Sequence, residues 1–172
     1  LTLSMYIGSR KQDFKKLIEK LLKIGGMNIK SIKAVEVDLN KNRQKRPGPY
    51  RTGDREPASP MARYPAYQGK RSSWSPKWPT AACVITAEDG TFGVGVTSNA
   101  GPVVRIINDH FGPHLVGENC MATEKLFDTM CRMATPYGGA GLGSYAISAV
   151  DLAAWDLKGK LLGRPVYELL GG

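Results

Sequence analysis

The chain has 172 residues, 42% of them apolar and 8% aromatic, with 20 glycines, 11 prolines and 3 cysteines. That is enough apolar material for one core, and it excludes full disorder, a collagen-like repeat and a disulfide scaffold; a (β/α)₈ barrel, which needs roughly 250 residues by itself, does not fit either. The formal net charge of +9 is uneven: six basic against two acidic side chains in residues 1–26, twelve against four in 27–80, and six against nine in 81–172.

From Asp13 to Ile24, the residues Phe14, Leu17, Ile18, Leu21 and Leu22 recur at i, i+3, i+4, i+7 and i+8 with lysines between them. This spacing predicts an amphipathic helix, stopped by Gly25-Gly26. Basic amphipathic helices can bind membrane surfaces or partners. The plainer reading is an extension, residues 1–26, that need not be native, placed before a domain of residues 27–172. A secretory leader is not predicted, because no uncharged apolar stretch follows the basic residues.

At Met27 the period changes. Ile29, Ile32, Val35 and Val37 lie in an alternating run over 29–38 that predicts a β-strand. Residues 40–80 then hold most of the prolines, with Lys41, Arg43, Lys45, Arg46, Arg51 and Arg55 interleaved with Tyr50, Tyr64, Tyr67, Trp74 and Trp78. They predict a long surface loop. Residues 81–88 and 91–97 read as strands joined at Asp89-Gly90, the strongest short hairpin signal. Helices are predicted from Val103 to Phe111, closed by Gly112-Pro113; from Ala122 to Ala134, closed by Pro136; and from Ser144 to Leu162, closed by Gly163-Arg164-Pro165. The class is α+β, a three-stranded antiparallel β-meander followed by a helical bundle.

Cys83, Cys120 and Cys131 are odd in number and widely spaced, which suggests neither a disulfide framework nor a zinc site but reduced thiols of a cytoplasmic protein. The most apolar run, 142–157, is interrupted by Asp151 and Asp156, so no membrane span is predicted. His110 and His114 stand four apart, but Pro113 is expected to break the helix between them and no third ligand lies nearby, so a surface or capping pair is expected rather than a metal site. The glycine-rich run from Pro136 to Ser144 could offer free N–H groups to an anion. It lacks the dinucleotide and P-loop patterns, and Ser144 as a helix N-cap is the simpler reading.

Asp151 and Asp156, five apart on one helix, point about 140° from each other, too far for a shared acid–base site. They are expected at the helix surface or at an interface with a further domain. Ile147, Val150, Ala154, Leu157 and Leu161 follow helical spacing and are predicted core, and Trp155 is expected to pack at an interface. The basic loop of residues 41–78 could instead track a phosphate backbone with its aromatics as stacking platforms. Its arginines are scattered and no nucleic-acid module accompanies them, so a loop that meets a small anionic substrate fits better.

The run from Ser144 to Lys160, with an A-x-D-x-A-x-W-D-x-x-G-K-like core, followed by Gly163-Arg-Pro-Val-Tyr-Glu-Leu-Leu-Gly-Gly172, resembles the end of the N-terminal capping domain of the enolase superfamily, of the mandelate racemase/muconate lactonizing enzyme type. Ser59 to Tyr67, Lys70 to Trp74 and Pro113 to Asn119 further resemble the L-rhamnonate dehydratase group of acid-sugar dehydratases. The likeness runs from about Met27 to Gly172. It implies an enzyme whose Mg²⁺ is held by three carboxylates of a TIM barrel. A barrel base there removes the α-proton of a sugar acid, the β-hydroxyl leaves, and a 2-keto-3-deoxy acid results.

None of those ligands or bases is expected in this chain, so no cofactor is assigned to it and it is predicted inactive alone. Its implied role is the lid that sets which sugar acid fits. Its partners are then the sugar-acid substrate, the missing TIM-barrel domain and, at full length, further copies in a homo-oligomer. By the same resemblance Arg71 occupies a substrate-contacting position, where a guanidinium can donate paired hydrogen bonds to a carboxylate or hydroxyls. One departure is that residues 39–70 contain no histidine, where the family places a substrate-binding one; Tyr50, Arg51 or Arg55 could replace it, or the sugar could differ. A freestanding interaction module of the same fold, or a basic nucleic-acid-binding protein, are the alternatives.

Overall fold

The computed structural model describes residues 14–16, 18–19, 22–38, 63–65 and 76–172. The alternating runs form β1 (Ile29–Val37), β2 (Thr80–Ala87) and β3 (Phe92–Thr97), antiparallel in the order β1-β2-β3. The register places Ile32, Ile85 and Gly93 in one row and Ala34, Cys83 and Gly95 in the next. Because side chains alternate across a strand, these residues line one face, which the helices cover. The other face carries Val35, Val94 and Val96, all exposed. The β2–β3 turn forms as predicted: Asp89 Oδ1 accepts the Thr91 N–H at 2.9 Å, and Gly90 takes φ 88°.

The first helical unit is longer than its predicted span of 103–111. It comprises α1 (Ala100–Arg105), a π-helical stretch (Ile106–Phe111) and α2 (Gly112–Leu115). Gly112-Pro113 does not end it. The proline falls at the start of a new α turn, where its missing N–H has no partner to lose, and the wide π turn before it absorbs the change in hydrogen-bonding pattern. Asn108, in the π stretch, accepts the Ala34 N–H on Oδ1 at 2.7 Å and donates Nδ2 to the Ala34 carbonyl at 2.9 Å. One amide side chain thus stands where a neighbouring strand would pair with the outer edge of β1.

Helix α3 (Thr123–Met133) is followed by a 3₁₀ turn (Thr135–Tyr137), then by α4 (Leu142–Leu162) and the short α5 (Val166–Leu169). The start of α4 corrects one expectation. Ser144 is not the N-cap; Gly141, at φ 70° and ψ −125°, holds that place in a conformation suited to glycine, and the Ser144 hydroxyl donates back to its carbonyl at 2.8 Å. Ile147, Val150, Ala154, Leu157 and Leu161 are buried as predicted. The core joins them to Ile29, Ile85, Val103, Ile107, Phe111, Leu126 and Met130.

Helix α4 rests directly on the backbone of β3. A Cβ on Gly93 would stand 2.1 Å from the Ala153 carbonyl oxygen, and one on Gly95 2.0 Å from that of Ala149. Backbone oxygens cannot yield to a methyl group, so glycine sets the distance between helix and sheet. The same helix closes the outer edge of β3: Asp156 Oδ2 accepts the Val94 N–H at 2.8 Å, and Lys160 Nζ donates to the Phe92 carbonyl at 3.0 Å and to Asp156 at 2.7 Å. Asp156 thus stands at the helix surface, as expected, and its carboxylate is engaged by β3 and Lys160 of this same domain.

Residues 14–16, 18–19 and 22–25 are helical, with Phe14, Ile18 and Leu22 exposed. Ile24 and Met27 are buried in the core, and Asn119 Nδ2 donates to the Gly25 carbonyl at 2.6 Å, so the end of this helix is tied to the body. Among the described residues no helix is long and apolar enough to cross a membrane.

Gly95→Ala should destabilise the fold by about 2–3 kcal/mol, the cost of forcing extra volume into a packed core, whereas Gly139→Ala, with open space around it, should be nearly neutral; denaturant unfolding of both variants checks this. Asp156→Ala should cost about 1 kcal/mol for the lost hydrogen bond and increase self-association through the freed β3 edge, read by denaturation and by light scattering.

Candidate functional site

The register brings Val37 opposite Thr80 and Ala81 opposite Thr97. The long β1–β2 connection and the β3–α1 turn therefore share one end of the sheet. Two contacts shape this end among the described residues. The Ala100 N–H donates to the Pro79 carbonyl at 2.9 Å, locking the last residues of the connection to the first residue of α1. Trp78, 45% exposed, lies beside Gly101, whose added Cβ would meet the indole Cδ1 at 3.9 Å.

Between them Asn99 takes φ 65° and ψ 47°, the one non-glycine residue with positive φ among those described. Asparagine tolerates this region better than other non-glycine residues, and backbone kept there is characteristic of functional turns. Sequence reasoning missed Asn99, since Ser98-Asn99 carries no signal beyond an ordinary turn.

Arg71 lies outside the described residues, as do Tyr50, Arg51, Arg55, Tyr67 and Trp74. What is described of the connection, residues 63–65 and 76–79, is exposed.

The two histidines form a surface pair, but the helix expected to break between them does not. The helix continues through Pro113, and the His110 and His114 rings meet edge to face, 5.8 Å between centroids. His110 Nδ1 also lies 2.9 Å from the Tyr137 hydroxyl, joining the π-helical stretch to the 3₁₀ turn before α4. Among the described residues no three His, Cys, Asp or Glu side chains form a metal's donor set.

The cysteines are free, and burial pushes the thiol of Cys83 up to about 12 and that of Cys120 up to about 11, which keeps both protonated and unreactive. A shallow groove at the C-terminal end of α4 is lined by Asp156, Gly159, Lys160, Gly163, Arg164 and Val166. Its two cations are already engaged, Lys160 by Asp156 at 2.7 Å and Arg164 by Glu168 at 3.1 Å. The site is thus one end of a scaffold that presents a long basic connection.

Comparison with known proteins agrees with this arrangement. Residues 77–171 match the family described as mandelate racemase / muconate lactonizing enzyme, N-terminal domain. An L-rhamnonate dehydratase of Saccharopolyspora erythraea is 43% identical over 116 residues, 67% of this chain and 30% of that enzyme. The chain spans about 30% of the length of the curated relatives it matches.

Among solved structures, L-rhamnonate dehydratase from Gibberella zeae superposes with a TM-score of 0.71 at 31% identity, covering 84% of this chain and 34% of that one. Rhamnonate dehydratase from the same organism, complexed with Mg, gives 0.70 at 28%, covering 84% and 37%. The 3,6-anhydro-D-galactonate cycloisomerase from Zobellia galactanivorans gives 0.59 at 29%, covering 84% and 32%. The three-stranded sheet, the helices that follow it and the match across more than half of its residues establish that this chain belongs to the mandelate racemase/muconate lactonizing enzyme family of the enolase superfamily, as its N-terminal domain.

Proposed function

We propose that this chain is the capping domain of a Mg²⁺-dependent acid-sugar dehydratase, which removes water from a sugar acid to give a 2-keto-3-deoxy acid. The observation that carries the reading is the agreement of an L-rhamnonate dehydratase at 43% identity with one superposing at a TM-score of 0.71, each matched over about a third of its own length. The remaining two thirds, in this reading, supply the catalytic barrel. Among the described residues no three acidic or histidine side chains form a Mg²⁺ donor set; in this reading the metal and the base belong to that barrel, and no chemical step is assigned here.

The chain's own task is recognition. The sheet end formed by Trp78, Pro79 and Asn99 anchors the basic β1–β2 connection, which closes over the barrel mouth, excludes water and selects the sugar acid. Arg71, on that connection, donates charge-assisted hydrogen bonds to the substrate carboxylate or hydroxyls. The segment from 27 to 80, with its excess of eight positive charges, draws an anionic substrate toward the mouth. The full-length enzyme works in the cytoplasm as a homo-oligomer.

The test is a panel of sugar acids given to the native gene product with Mg²⁺, with the 2-keto-3-deoxy product as readout. Turnover of at least one acid is expected, and failure on every acid would overturn the reading. Within an active enzyme, Arg71→Ala should lower kcat/KM by about 5- to 150-fold, the 1–3 kcal/mol of a charge-assisted hydrogen bond; an unchanged kcat/KM would remove Arg71 from the site.

A further inference from the structure

The helix that ends at Gly25 has no part in the proposed function, and its described residues present two different sides. Ile24 is buried and, with Met27, enters the core, while the Gly25 carbonyl accepts Asn119 Nδ2 at 2.6 Å. The helix is thereby fastened to the body at its C-terminal end.

Phe14, Ile18 and Leu22 recur every four residues and share one stripe about 80° wide, and Leu22 stands about 160° round the helix from Ile24. The stripe is turned away from the core. Phe14 is 64% exposed, Ile18 39% and Leu22 72%. Lys15 borders the stripe, Lys16 and Lys23 stand on the far side, and all three are exposed. Residues 1–26 hold six basic side chains against two acidic. An apolar stripe backed by lysines is the pattern of a helix that lies in the plane of an anionic bilayer, its apolar side chains among the acyl tails and its ammonium groups at the headgroups.

We propose that this helix docks the protein reversibly on a membrane surface rich in anionic lipid, with Phe14, Ile18 and Leu22 inserted and the lysines over the headgroups. Charge selects this occupant. A second copy would bring the excess positive charge of residues 1–26 against its like, whereas the anionic leaflet that faces the cytoplasm is complementary to it. Dehydration of a sugar acid neither requires this docking nor opposes it.

The experiment is co-sedimentation of the native gene product with vesicles of phosphatidylcholine, alone or mixed with phosphatidylserine, with dehydration assayed on the same preparation. Binding is expected to the mixed vesicles and not to phosphatidylcholine alone, and it should weaken about tenfold as salt is raised and the charges are screened. Leu22→Glu should lower the partition coefficient by at least about tenfold, through the lost apolar contact, and the pair Lys15→Gln and Lys16→Gln by about 30-fold. Both substitutions lie at exposed positions, so the melting temperature should not change. Phe14→Ser, far from the fastened end, gives the same readout should Leu22→Glu disturb the fold.

Equal binding to both kinds of vesicle, binding to neither, or binding that survives Leu22→Glu and Phe14→Ser overturns the docking helix. So does a dimer that Leu22→Glu dissolves and that ignores vesicles, which would make a second copy the occupant, and so does a native product that begins after Leu22. In each case the proposed function is judged separately by turnover, and vesicle binding by a product that dehydrates no sugar acid sustains the docking helix while overturning that function.

Discussion

Everything in this domain depends on how closely α4 approaches β3. With glycine at 93 and 95, the helix backbone meets the strand backbone at a separation no side chain permits, 2.0–2.1 Å from where a Cβ would stand. Small residues on the helix, Ala149 and Ala153, complete the contact. The helix buries the apolar face of the sheet, Cys83 and Ile85 among it. That close contact also brings Asp156 and Lys160 within reach of the β3 edge, where they take up Val94 N–H and the Phe92 carbonyl.

The opposite edge is closed by different means to the same end, since Asn108 serves both backbone groups of Ala34. With both edges answered by side chains, the sheet is protected against edge-to-edge pairing. Its order also fixes where the connections emerge. An antiparallel meander returns the chain to the same end at every second connection, so the long β1–β2 segment and the β3–α1 turn emerge together. A rigid sheet and helix thus hold both roots of the long β1–β2 connection.

Much of this was legible in the sequence. Alternation over 29–37 and Asp89-Gly90 gave the strands, the 3.6-residue period gave α3 and α4, and the run from Ser144 to Gly172 carried the family. What stayed hidden was of two kinds. Local rules failed where tertiary contacts override them, as at Pro113, where a π turn lets the helix continue, and at Ser144, where Gly141 begins the helix earlier. Side-chain partners between distant elements left no trace in spacing. Nothing local says that Asp156 answers Val94 while Asp151, five residues earlier, answers nothing in the described chain. Arg71 was reached by resemblance alone, and its place lies outside the described residues.

The central claim, that this chain caps a sugar-acid dehydratase, is tested most directly by the size of the gene product in its own cells, detected with peptides from residues 100–160 and across Gly171-Gly172. The account predicts a polypeptide of about 40 kDa or more, this chain joined to a barrel of roughly 250 residues. A product of 18.7 kDa, with no peptide extending past Gly172, would contradict it.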